Sequence, residues 1–263
     1  MKNFKINASW TMALLAAIFF MGSASAQDTT SKHRDYVTRW VTIQGGYAFM
    51  QNDVINQFLA NNAPALNNNM GTLGISGLME YKRWIGGITV QGGMSQPVTI
   101  DNYAGHPGQD YQLANGFYNG LLHLGYAVVN TPMMKIYPIL GLGGGRASAQ
   151  LVRTNISQAS IVANNQPQNS NVQIGKAMAY IDLGIGFDFF HRMKPMEGNP
   201  RRNGGGVVGL RVGYSQGIGL GSWGYNGDNN VNENPTYNPG MFYAKLMVGV
   251  FRTHRADMHW GQK

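Results

Sequence analysis

Eight side chains able to carry charge or bind protons sit inside stretches that are otherwise apolar: Glu80, Lys82, His123, Arg146, Asp182, Asp188, Arg211 and Lys245. Their spacing is as informative as their type. In Tyr180 to Phe190 (YIDLGIGFDFF), Asp182 and Asp188 share one parity while Ile181, Leu183, Ile185, Phe187 and Phe189 share the other. A helix cannot use that spacing, whereas successive side chains of a strand point to opposite faces. Carboxylates, guanidinium and ammonium groups on the polar faces of adjacent strands can then pair directly. Asp182, Arg211 and Lys245 fall near mid-height, with His123 beside them and Arg146 higher. Glu80, Lys82 and Asp188 form a second layer. Such a set either fills a narrow interior as a plug, the favoured reading, or lines a polar path for water and small ions.

The elements that would hold this set are eight strands, expected at residues 37–50, 70–82, 87–95, 114–129, 135–150, 173–190, 206–217 and 241–251. Each alternates apolar and polar positions. Val41, Ile43, Tyr47 and Phe49 oppose Thr42, Gln44 and Ala48 in the first; Val208, Leu210, Val212 and Tyr214 oppose Arg211 and Ser215 in the seventh. The fifth is the least regular, because Tyr137 and Ile139 conflict in phase with Leu140 and Leu142, and Gly141 with Gly143 to Gly145 invites a bulge that would reset it. The repeated pattern predicts lipid outside and a polar lumen inside.

Connection lengths point the same way. Segments 51–69, 96–113, 151–172 and 218–240 are long, while 83–86 and 130–134 are tight and 191–205 is intermediate. Long external loops alternating with short periplasmic turns are usual for outer-membrane barrels. Outward aromatics should gather at both interfaces, with Tyr47, Phe49, Tyr118, Tyr214 and Phe242 at the outer rim and Tyr81, Tyr126, Tyr137, Phe187 and Phe189 at the inner one.

Residues 1–26 read as a signal peptide: Lys2 and Lys5 precede the apolar run Thr11 to Met21, and Ala24-Ser25-Ala26 is a cleavage site. Residues 27–36 would be a periplasmic N-terminal segment, 37–251 the barrel and 252–263 a basic tail. Only 12% of residues are charged and 36 are Gly, yet no later apolar run could span a bilayer as a helix. The net charge of +8 is spread thinly, without a basic stripe interleaved with aromatics, so nucleic acid is not an expected partner. With no Cys, neither disulfides nor thiolate metal ligands are available.

Other motifs carry less. Gly219-x-Gly221-x-x-Gly224 fits a dinucleotide fingerprint but falls in a segment read as a long loop with no following helix. HExxH is absent from the chain, and His254 and His259 are poorly spaced for a metal. No cofactor or metal site is expected. Asp53 to Ala60 could form a short loop helix.

The signal peptide, the alternating strands, and segments such as GLRVGYSQG (Gly209 to Gly217) and YIDLGIGFDFF resemble the small outer-membrane β-barrels of the OmpA and OmpX type, in the Gly-rich form common in Bacteroidota. The resemblance implies an all-β, eight-stranded antiparallel transmembrane barrel with long extracellular loops. It implies residence in the outer membrane, with the lipid and the barrel assembly machinery as partners. It further implies a structural or interaction role without enzymatic activity, in which the loops meet an extracellular or envelope partner. A narrow channel or small-solute transporter is the alternative, and a lipid-modifying enzyme comes third. Barrels of this type often end on an aromatic residue, whereas Phe251 is followed by Arg252 to Lys263.

Overall fold

The computed structural model describes residues 36–51, 67–100, 111–153, 171–192, 203–225 and 236–255. The segments expected to form the signal peptide and the loop helix lie outside these residues, as does the tail beyond Arg255.

Eight long strands form the wall: β1 (Tyr36–Met50), β2 (Asn69–Tyr81), β3 (Trp84–Ser95), β5 (Tyr111–Tyr126), β7 (Met134–Arg153), β8 (Asn171–Arg192), β9 (Asn203–Tyr225) and β10 (Gly240–Arg255). Two short ones, β4 (Val98–Ile100) and β6 (Val129–Asn130), extend the pairing of β5 and β7 at opposite ends. Each long strand pairs antiparallel with its chain neighbour, β1 pairs with β10, and the sheet closes on itself with no free side. Closure matters because a backbone in lipid must satisfy its own hydrogen bonds.

Alternation decides the faces as expected on seven of the eight strands. Ile43, Leu73, Val90, Leu122, Leu246 and Val250 are exposed on the outer wall, while Thr42, Ser76, Gln91, Asn119 and Lys245 are buried in the bore. The exception is β7. No bulge interrupts it: its register runs without a break from Met134 to Val152 against β8. Tyr137 and Ile139 therefore stay inside, and Leu140 and Leu142 face out. The register shift occurs instead between β8 and β9, at Gly175 and Ala177, opposite Gly221 with φ of 66°. The Gly-rich stretch of β7 serves a different need. A Cβ on Gly143 would lie 1.9 Å from the carbonyl oxygen of Gly120, so only Gly allows the two strands to curve this tightly.

Strand ends differ most from expectation at β9 and β10. β9 continues to Tyr225, so the Gly219, Gly221 and Gly224 triplet lies on a strand and not in a loop. That placement leaves no helix N-terminus for a phosphate. β10 continues to Arg255, so Arg252 to Arg255 belong to the wall and pair with β1.

Candidate functional site

The bore is filled in layers, and each layer follows from inward residues of successive strands. Nearest the short turns, Lys135 of β7 and Glu80 of β2 form an ion pair across the barrel. Asn130 completes it by donating to Glu80 and accepting from Lys135 Nζ at 2.7 Å. Packed with this trio is an apolar layer of Trp40, Leu78, Ile85, Tyr137, Ile139, Phe190, Val207 and Phe251. Its rings meet edge to face, with Trp40 to Phe190 centroids at 5.7 Å and Phe190 to Phe251 at 5.0 Å.

A polar belt occupies mid-height. Tyr137 Oη donates to Asp188 Oδ2 at 2.7 Å, and Arg211 Nη2 donates to Tyr137 Oη at 3.4 Å. Tyr243 Oη donates to Asp182 Oδ2 at 2.9 Å. Lys245 donates to Gln91 Oε1 and lies 3.8 Å from the centre of the Tyr243 ring, while Gln44 donates to the same Gln91 oxygen at 3.2 Å. Ser76 and Thr89 share a hydrogen bond of 2.6 Å. His123 is buried here, facing Asp182 across Gly141, where a Cβ would meet both side chains at about 3 Å.

Toward the long loops a second apolar layer follows, made of Ala48, Met50, Met70, Phe117, Met241 and Tyr243. Above it, Trp223 of β9 packs on Tyr237 with ring centroids 5.4 Å apart, and Lys176 stands 5.7 Å from the Trp223 ring. Tyr237 reaches down to Met50 Sδ at 3.9 Å. Burial pushes its phenol above the ordinary range, so it stays neutral.

Of the eight expected lumen residues, the structure brings six inside: Glu80, His123, Asp182, Asp188, Arg211 and Lys245 are all buried. Lys82 is not among them. The strand stops at Tyr81, and Lys82 and Arg83 form a two-residue turn with φ of 49° and 72°, so alternation ends one residue before Lys82 and its side chain is exposed. Arg146 also departs from expectation. It has the outward parity of β7 and lies over Gly175 on the external wall. Tyr137, expected in the inner girdle, is buried inside.

The expected pairing is replaced as well. Asp182 takes its hydrogen bond from Tyr243, and Arg211 and Lys245 are direct cross-strand neighbours of each other. They diverge to Tyr137 and Gln91 on other strands. The residues missed from sequence are thus Lys135, Tyr137, Tyr243 and Trp40. Three of them carried a usable signal: Tyr243 shares parity with Lys245, and Trp40 with Thr42 and Gln44, while Lys135 sets the phase for Tyr137. Among the described residues no group of three His, Asp or Glu side chains could hold a metal ion.

Outside, the wall is a belt of Val, Ile, Leu and Met bordered by aromatics: Tyr47, Tyr118 and Phe242 toward the long loops, Trp84 and Phe189 toward the short turns. All three described carboxylates, Glu80, Asp182 and Asp188, face the lumen. A closed antiparallel wall, greasy outside and polar within, defines an integral β-barrel of the outer-membrane type. The chain matches no protein-family model and no curated protein. Among solved structures it is similar to Neisserial surface protein A at 14% identity, covering 82% of this chain and 97% of that one, with a TM-score of 0.37. It is similar to Ail, the attachment invasion locus protein of Yersinia pestis, at 10% identity, covering 82% and 97%, with a TM-score of 0.35. The outer membrane protease OmpT from Escherichia coli is similar at 8% identity, covering 86% and 99%, with a TM-score of 0.32.

Proposed function

We propose that this chain is a closed-bore outer-membrane barrel with a structural or interaction role. In this reading it is not an enzyme, the polar lumen gives the fold its rigidity, and the external loops present the surface that meets a partner. It would be one of the Gly-rich OmpA and OmpX type barrels common in Bacteroidota, delivered by a cleaved signal peptide and inserted by the barrel assembly machinery. The observation that carries the reading is the layering of the bore: side chains of the two apolar clusters are at most 6% exposed and lie on both sides of the polar belt. An ion would have to shed its water to pass either layer.

Planar-bilayer recording tests this. The wild type is expected to show no steady conductance, and combined truncation of Trp40 and Phe190 to Ala, which opens the layer near the short turns, is expected to remain poorly conducting until Met50 and Met241 are truncated too. Large, steady conductance from the wild type would overturn the reading and establish the narrow channel in its place.

A further inference from the structure

On the outer wall at the short-turn end, Arg39 of β1 and Arg252 of β10 are direct cross-strand partners. Both side chains are exposed, and the inward neighbours Trp40 and Phe251 confirm that the two arginines point away from the bore. Like charges placed opposite each other on one face are unfavourable unless an anion separates them. The sheet neighbours supply none. Across β2 and β9 the flanking partners are Met79 and Gly204, and every carboxylate of the described residues is inside the barrel.

The height of the pair is fixed by the residues above it. Val41 and Val250 are the next partners on the same face, 51% and 65% exposed, and belong to the apolar belt. Two residues along a strand correspond to roughly 7 Å. The arginines therefore lie where hydrocarbon gives way to headgroups. Around the same rim Lys82, His191 and Arg192 are exposed as well.

We infer that Arg39 and Arg252 form a clamp for the phosphate of an anionic phospholipid in the leaflet at the short-turn end. Guanidinium groups suit this because their fork geometry matches phosphate oxygens two at a time. The clamp is separate from the lumen, so it holds whether or not the bore conducts.

The test uses the full barrel refolded in phosphatidylcholine vesicles carrying a trace of spin-labelled phosphatidylglycerol or spin-labelled phosphatidylcholine, with the motionally restricted fraction read by electron paramagnetic resonance. The wild type is expected to prefer phosphatidylglycerol. Arg39→Gln or Arg252→Gln should each lower that preference by up to about fivefold at low salt. The paired Arg39→Lys and Arg252→Lys variant should fall between wild type and the Gln variants, because the charge is kept while the two-pronged fit to phosphate is lost. Heat-dependent gel mobility confirms folding of each variant. Equal association of the two lipids with wild type, or full preference in a folded Gln variant, would overturn the clamp.

Discussion

Lys135 and Glu80 meet across the bore from β7 and β2, each less than a tenth exposed. A pair this buried is costly to break and inexpensive to replace. Lys135→Met alone should destabilise the barrel by about 3–5 kcal/mol, since Glu80 is left charged with only Asn130 for a partner. Replacing both residues by Met should be neutral or even stabilising. Urea unfolding in lipid vesicles separates the cases: equal losses for single and double variants would show that packing, not charge, is what Lys135 contributes. Lys135 itself was legible, because it shares parity with the buried Tyr137 and Ile139. The rule that apolar strand residues face lipid nonetheless places that parity outside. That rule fails wherever the lumen is itself apolar, as at Trp40, Leu78 and Phe190. Tyr243 shows the complementary limit: its parity with Lys245 places it inside, but an uncharged phenol gives no sign in the sequence that it holds Asp182.

Among the elements, the β2–β3 hairpin shows where alternation stops informing. Strand parity would carry Lys82 inward, but the chain has already entered a turn whose two central residues both have positive φ. Such turns favour Asn-Gly, and side chains like Lys and Arg occupy the left-handed region at a cost of about 1–2 kcal/mol each. Lys82→Asn with Arg83→Gly should therefore raise the midpoint of urea unfolding. A lower midpoint would mean that the contact of Lys82 with the Tyr81 ring, 5.1 Å from its centre, outweighs the backbone strain. The same limit explains β7. Its central Gly residues have no side chain to show a face, and the apolar residues Tyr137 and Ile139 before them indicate one phase while Leu140 and Leu142 indicate the other.

For the whole molecule the closed ring of pairings sets the behaviour. With β1 bonded to β10 there is no edge from which the sheet can open strand by strand, so the barrel should stay folded in detergent until heated. Unheated and boiled samples should migrate differently on a gel, and identical mobility would contradict a closed barrel. The sheet count, the order of strands and most facings were readable in the sequence because lipid enforces alternation along the entire wall. The order of layers inside was not, since packing across a bore depends on shear between strands that no single strand records.

The rim carries a geometric consequence. Pairing of β10 with β9 ends at Gly240 and Gln216, yet β9 runs on to Tyr225 beside β8, which in turn stays paired with β7 up to Val152 and Asn171. At usual rise and tilt, the stretch of β9 past Gln216 stands roughly 20 Å higher than the tops of β1 and β10. Among the described strands, the wall therefore stands taller at β8 and β9 than at β1 and β10. Trp223 leans from the tall flank over the opening, where it meets Tyr237 rising from the low one. Among the described residues, the Trp223–Tyr237 contact ties this tall flank to the segment that leads into β10.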